Sequence, residues 1–243
     1  MPMTTEFFEE KIPRSFVFSP LPEVPPAGRE AVIVIADIPQ IKPVLLPDAE
    51  LQRVAKLTHA ASRDRFLAGR YLVRGILSAW LDMDSEKIPI EITASGKPFF
   101  NHHEFGISHT QQLVAAVFSP MQAGIDLEKE RPLDFHALAN RFFSGEEVSS
   151  LARSQNLSDF FRFWCCRESA IKADGRGLGK LLDVTAVSPP SGAAERASIT
   201  LVTIEGVVWH AYPWVLRAGI HGAVAFRDIP SVIHWCDLRE PLG

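Results

Sequence analysis

At 243 residues the chain can hold one large domain or two small ones, and 47% apolar with 22% charged residues excludes a disordered polymer. The net charge of -4 provides no global basic field, so sequence-independent binding to nucleic acid through phosphate neutralisation is excluded and any phosphate site must be local. Three cysteines, two of them adjacent (Cys165, Cys166 and Cys236), form neither a disulfide framework nor a zinc spacing and read as core thiols.

The opening residues "MPMTTEFFEE" are acidic, with no basic segment followed by an apolar one, and no later apolar run approaches the roughly 20 residues of a membrane span. A cytoplasmic protein without membrane contact is expected. The Pro-rich "PLPEVPPAGR" leads extended into a buried strand at "AVIVIAD", Ala31 to Asp37. From about Asp48 to Leu81 the pattern is helical, broken near Thr58, with Phe66, Tyr71, Leu72, Ile76 and Trp80 near one another at helical spacing and Arg65 and Arg74 off that stripe. After a turn at "TASGKPFF", the run "FGISHTQQLVAAVFSPMQAGIDLE" reads as two apolar strands joined at Ser119 to Met121.

Pro132 and a helical segment follow, and then "FFSGEEVSSLA", where Ser144 precedes Glu147 by three residues in the form of a capping box. The next helix, "SDFFRFWCCRESAIKADGRGLG", repeats Phe160, Phe163, Trp164 and Ile171 at helical spacing and is stopped by Gly175, Gly177 and Gly179. Strand-like runs "ASITLVTI", "GVVWHAY" and "GAVAFR" finish the chain. Each half has an apolar strand, a long helix rich in aromatic and basic residues, and further strands, which divides the chain into residues 1–121 and 122–243. An α+β protein of two similar, pseudosymmetric halves puts a ligand cleft at their interface without needing a partner subunit, so a monomer is expected.

Three clusters carry possible chemistry. In "GIDLEKE" a strand turns Ala123, Ile125 and Leu127 to one side and Gly124, Asp126 and Glu128 to the other, so the two carboxylates are neighbours that need solvent or a cation between them. Magnesium suits such oxygen donors; a strand running out into solvent beside Lys129 and Arg131 accounts for them equally. In "WCCRESAIK" the residues Trp164, Glu168 and Lys172 share one helical strip, and the Glu-to-Lys order at four residues also fits an ordinary helix salt bridge. In "SGKPFF" and "GISHT", Lys97, Ser108 and His109 stand at a turn and at the head of a strand. The basic Arg53, Arg65 and Arg70 on the early helices read equally as a solvated face.

The order "GKP", "ISH", "GIDLE", "RFFSGEE", "FWCCRESAIKADGRGL", from about Leu51 to Leu178, resembles the Sfp-type 4'-phosphopantetheinyl transferases. That resemblance implies the fold of this family, α+β with two similar halves and the active site between them, and transfer of 4'-phosphopantetheine from coenzyme A to a serine of an apo acyl or peptidyl carrier protein, with release of adenosine 3',5'-bisphosphate. It implies Asp126, Glu128 and Glu168 as magnesium ligands, Glu168 and Lys172 as the catalytic pair with Lys172 on a coenzyme A phosphate, and Arg53, Arg65, Lys97, Ser108 and His109 as the nucleotide-anchoring set. Arg167 departs from the family's usual lysine: charge is kept, but a planar fork replaces a point charge. Two other readings stand beside it, a non-catalytic carrier-protein or nucleotide binder on the same fold and a generic magnesium-dependent phosphohydrolase; the latter lacks its usual phosphate-binding glycine loop.

Overall fold

The computed structural model describes residues 16–93, 96–101, 103–175, 184–187, 199–216 and 219–239; the opening "MPMTTEFFEE" and the expected stops Gly177 and Gly179 lie outside them. In chain order the elements are β1 (Phe16–Phe18), β2 (Glu30–Asp37), α1 (Asp48–Ala55), α2 (Ala60–Leu81), β3 (Glu91–Ile92), β4 (Pro98–Phe100), β5 (His103–Thr110) and β6 (Leu113–Ser119). They continue with β7 (Ala123–Lys129), α3 (Phe135–Phe142), α4 (Gly145–Ser154), α5 (Leu157–Asp174), β8 (Val184–Val187), β9 (Thr200–Ile204), β10 (Val207–Leu216), β11 (Ile220–Phe226) and β12 (Val232–Asp237). The strands form a first sheet in the order β1-β12-β2-β6-β5-β4-β3 and a second in the order β7-β11-β10-β9-β8. The protein is α+β.

Alternation in the strands explains the layering. On β2, Ala31, Ile33 and Ile35 face a core shared with Ile125, Leu127, Trp214, Val224 and Phe226 of the second sheet, while Val32, Val34 and Ala36 face Leu72, Val73, Ile76 and Trp80 of α2. On β11, Val224 and Phe226 join the core between the sheets and Ala223 and Ala225 join the one beneath α5. Two sheets therefore pack on each other with helices on both outer faces, the arrangement expected of sheets whose two faces are both apolar.

Three sequence expectations change here. The run through "GIDLE" holds three strands rather than two: Gln111, at φ 49, makes a tight turn with Gln112 that joins β5 to β6 with Thr110 opposite Leu113. No Asn-Gly or Asp-Gly marks that turn, so the usual hairpin signal is missing. The last strand, β12, leaves the C-terminal half and inserts parallel between β1 and β2, so the first sheet draws on residues from both sides of position 121. Arg74, off the expected apolar stripe of α2, is nonetheless buried, with Nε and Nη2 on the Glu50 carboxylate at 3.0 Å and Nη1 on the Ser85 carbonyl at 2.6 Å. Its guanidinium is buried because carboxylate and carbonyl oxygens meet most of its donors.

The helices of the C-terminal half are held by polar contacts as well. Ser144 and Glu147 form the expected capping box at the start of α4. Glu147 also accepts Nε and Nη2 of Arg167 at 3.2 and 2.5 Å, with both residues fully buried and the guanidinium over the Phe143 ring. One residue therefore caps α4 and ties it to α5, and the planar fork of Arg167 turns inward to a carboxylate. At the other end of α5, β7 passes so close that a Cβ on Gly124 would stand 2.3 Å from both the Ala173 nitrogen and the Ser169 carbonyl oxygen. Only glycine allows that approach, because the obstructing atoms are helix backbone rather than movable side chain.

Two outcomes follow for stability. Glu147→Ala leaves Arg167 buried without its carboxylate and should lower the unfolding free energy in urea by about 3–5 kcal/mol, whereas the double variant Glu147→Leu/Arg167→Met should lose far less; equal losses would contradict a buried ion pair. Gly124→Ala should cost about 1–3 kcal/mol, with a fall of about 2–4 °C in Tm per kcal/mol. An unchanged Tm would mean that α5 does not sit this close to β7.

Candidate active site

Because Ala123, Ile125 and Leu127 are committed to the core between the sheets, Gly124, Asp126 and Glu128 turn toward α5. The absent side chain at Gly124 lets α5 lie on the strand, and Glu168 and Lys172, one helical turn apart, then come down over Asp126. Lys172 Nζ lies 2.6 Å from Asp126 Oδ1 and 3.2 Å from Ser108 Oγ. The hydrogen-bond partner of Lys172 on the strand is thus a carboxylate 46 residues away in sequence.

Asp126 is 4% exposed and Glu168 7% exposed. Burial first, and then the neighbouring Asp126 and Glu128, push the Glu168 carboxyl up to about 7 against the opposing pull of Lys172. Burial works to lower the Lys172 ammonium, but Asp126, by charge and hydrogen bond, and Glu168 hold it above the ordinary lysine value. The Lys172 side chain keeps 34% of its exposure, which puts it at the opening of the site rather than sealed beneath it. Glu128 stands further out, with Arg131 Nη1 at 2.8 Å. Beneath them the Cys165 thiol is pushed well above its ordinary value by burial and then by Asp126 and Glu128, so it is an inert neutral group.

The remaining sequence-derived candidates occupy different positions. His109, next to Ser108 on β5, points to the opposite face, toward α2, where its pKa is lowered by burial with Arg65 and Lys172 adding to it. Arg65 and His109 come together because Gly69 of α2 packs on Ile107 of β5, a Cβ on that glycine falling 3.1 Å from the isoleucine. Lys97 is 8% exposed; its ammonium pairs with Glu104 and donates to the Ala173 carbonyl at 3.1 Å, close to the C-terminal end of α5. A cation there offsets the helix dipole, and burial still lowers Lys97 below the ordinary lysine range. Arg53 is exposed and lies over the Phe66 ring, which Arg70 also faces.

Whether a divalent cation suits this group is decided by its oxygens. Asp126 Oδ2 is buried with no hydrogen-bond partner, and a buried carboxylate oxygen in that state needs compensation. Asp126, Glu128 and Glu168 repel one another, as the raised Glu168 shows, and all three offer hard oxygen donors of the kind magnesium takes. Among the described residues, no three His, Cys, Asp or Glu side chains already stand at ligand positions, since Asp126 Oδ1 is taken by Lys172 and Glu128 by Arg131. The donor chemistry fits a hard dication, and closing a shell around it requires these side chains to turn.

Sequence reasoning missed several parts of this arrangement. The roles of Glu104 as partner of Lys97 and Glu147 as partner of Arg167 depend on contacts across elements. Also unforeseen were the bonds that the Ser108 hydroxyl, expected at the nucleotide, makes with Asp126, Lys172 and the Leu127 amide. The available signal was strand parity: Gly106, Ser108 and Thr110 share the face of β5 that meets β7.

Comparison with known proteins bears on the same segment. Residues 122–225 match the model of the 4'-phosphopantetheinyl transferase superfamily. A 4'-phosphopantetheinyl transferase HetI from Nostoc sp. is 35% identical over 161 residues, 62% of this chain and 68% of that protein. The 4'-phosphopantetheinyl transferase Sfp from Bacillus subtilis is 32% identical over 138 residues, 54% of this chain and 61% of that protein. An L-aminoadipate-semialdehyde dehydrogenase-phosphopantetheinyl transferase from Xenopus laevis is 27% identical over 209 residues, 76% of this chain and 69% of that protein. The matches thus span about three fifths to two thirds of these relatives. With β7, α5 and the carboxylate–lysine group inside the matched segment, the chain belongs to the 4'-phosphopantetheinyl transferase family, whose members are transferases.

Proposed function

We propose that this enzyme transfers 4'-phosphopantetheine from coenzyme A to a serine of an apo acyl or peptidyl carrier protein, with magnesium, and releases adenosine 3',5'-bisphosphate. The observation that carries the reading is the convergence of Asp126, Glu168 and Lys172 where α5 crosses β7, with Glu128 at the same opening. Family membership supplies the reaction class, and the names of HetI and Sfp supply the transferred group.

In this reading the serine oxygen forms a bond to the β-phosphorus of coenzyme A, the bond from that phosphorus to the departing bisphosphate breaks, and the serine proton goes to Glu168. Glu168 is the carboxyl placed beside Lys172 at this opening, and burial with the neighbouring acids raises it to about 7 while no cation is bound. Lys172 stands at the opening with a charge reinforced by Asp126 and Glu168, and would neutralise a phosphate oxygen as charge builds on it. Asp126, Glu128 and Glu168 would hold magnesium, which when bound supplies charge neutralisation of the pyrophosphate. Arg65 and His109, together on the α2 side of β5, would anchor the nucleotide; Arg53, Lys97 and Ser108 stay in that anchoring set, Lys97 already carrying an ion pair with Glu104 and Ser108 hydrogen bonds to Asp126 and Lys172. Their role is positioning.

No helix among the described residues is long and apolar enough to cross a membrane, and the reading adopts a cytoplasmic monomer. A non-catalytic binder on the same fold would leave coenzyme A intact, and a magnesium-dependent phosphohydrolase would release phosphate with no acceptor, so turnover of coenzyme A and the mass of the carrier protein separate both from this reading.

Two kinetic outcomes test this. Glu168→Gln should lower kcat for release of adenosine 3',5'-bisphosphate by about 10²–10⁴-fold, the range for loss of a positioned base, with the circular dichroism spectrum unchanged; a variant of ordinary activity would remove the central residue. His109→Ala should raise KM for coenzyme A with kcat nearly unaltered, as expected for lost ground-state binding. A kcat effect at constant KM would move His109 from anchoring to the chemical step.

A further inference from the structure

Lys97 stands immediately before β4, in a turn that fixes its backbone. The Thr93 amide donates to the Lys97 carbonyl at 2.8 Å, and the Lys97 amide donates to Thr93 Oγ1 at 3.0 Å. From this turn the side chain reaches across the boundary between the two sheets. Its ammonium meets the Glu104 carboxylate, on β5, and the Ala173 carbonyl, near the end of α5, at 3.1 Å. Glu104 and Ser108 lie four residues apart on one face of β5, and each holds a lysine beside the end of α5: Ser108 meets Lys172, and Glu104 meets Lys97.

A lysine ammonium has three N–H donors. One goes to Glu104 and one to the Ala173 carbonyl, which leaves the third without a protein acceptor among the described residues. Lys97 is buried, and a buried ammonium is costly unless it is paired. The groups that face it are Glu104 from β5 and, from the end of α5, the Ala173 carbonyl and Asp174. Burial lowers the Lys97 pKa; Glu104 opposes that by hydrogen bond and by charge, and Asp174 by charge alone. Lysine, unlike arginine, gives up its proton readily when buried, so the carboxylate in contact with it decides how much charge Lys97 can offer a ligand.

We propose that Glu104 is a positioning residue for the nucleotide end of the site, holding the Lys97 ammonium against the end of α5 so that its third N–H is left for a phosphate of coenzyme A. The inference rests on the transferase reading above, in which Lys97 belongs to the anchoring set, and adds to that set a carboxylate that acts only through the lysine. A phosphate need not displace Glu104, because carboxylate, carbonyl and phosphate oxygens together fill the three donors of one ammonium. The cation between them also separates two negative groups that would otherwise repel.

The experiment is a double-mutant cycle read by calorimetric titration with coenzyme A, using wild type, Glu104→Gln, Lys97→Ala and the double variant of the full chain. Each is titrated between about pH 7.5 and 9, above the phosphate pKa of about 6, so that the ligand's phosphate charge is constant. Glu104→Gln should raise Kd by about 10-fold, the size expected for weakening one hydrogen bond to a charged group. The ratio of its Kd to that of wild type should grow with pH, because Lys97 without the carboxylate loses its proton at a lower pH. In the Lys97→Ala background the second substitution should change nothing, since Glu104 acts through that lysine. Tighter binding by Glu104→Gln would overturn the proposal by showing that Glu104 competes with the phosphate. Unchanged binding would reduce Glu104 to a tie between β5 and α5, a ratio constant with pH would deny its hold on the Lys97 charge, and additive effects in the cycle would deny the route through Lys97. A wild type with no affinity for coenzyme A would bring down the transferase reading and this inference with it, an outcome distinct from a wild type and a Glu104→Gln that bind equally. If Glu104→Gln fails to fold, Glu104→Asp, with its carboxylate drawn back by one methylene, decides by the same cycle: weaker binding only where Lys97 is present supports the proposal, and unchanged binding overturns it.

Discussion

Everything at the candidate site depends on the backbone of α5 resting directly on β7 at Gly124. A strand and a helix normally meet through their side chains, at a separation those side chains set. Here the strand residue beneath Ser169 and Ala173 has no side chain, and any Cβ would stand 2.3 Å from helix backbone atoms. The close approach is what lets Lys172 reach Asp126 at 2.6 Å and leaves Glu168 close enough to feel both strand carboxylates. The glycine two residues before Asp126 is thus part of the site's geometry although it carries no functional atom.

Burial and charge then do opposite things to neighbouring groups. Glu168 and Lys172 sit one turn apart on the same helix, yet burial raises the acid while the surrounding carboxylates keep the base protonated. In the proposed reaction this pairing would take one proton and meet developing negative charge. Around this centre, charges that a sequence reader would assign to solvent are committed inside the protein: Arg167 to Glu147, Arg74 to Glu50, and Lys97 to Glu104 and the end of α5. The Arg167 and Arg74 pairs tie helices to their neighbours, and Lys97 joins β4 and β5 to the end of α5.

Period-2 and period-3.6 patterns carried the α+β class, the long helices and the shared face of Asp126 and Glu128, because those depend on local geometry and on which side of an element is apolar. The return of β12 to the first sheet was not legible, since "SVIHWCD" carries no mark of the strand it will pair with. The turn at Gln111–Gln112 escaped notice for want of a glycine. The site itself was legible only as fragments, each with an ordinary explanation: "GIDLE" as a strand end, Glu168 and Lys172 as a salt bridge within one helix. What joins them is a contact between residues 46 apart in sequence, and only the resemblance to a known order of motifs pointed to it. Ser108 shows what a motif alone leaves out, because its hydroxyl also joins Asp126, the Leu127 amide and Lys172 across the two sheets.

The central claim is that the carboxylate–lysine group where α5 crosses β7 transfers phosphopantetheine to a protein serine. Intact-mass spectrometry of several apo carrier proteins, each incubated with coenzyme A, magnesium and this enzyme, tests that most directly. The account predicts that at least one carrier gains the mass of a single phosphopantetheinyl group, at its acceptor serine, and that chelating the magnesium prevents the gain. Release of phosphate from coenzyme A with every carrier left at its original mass would contradict it.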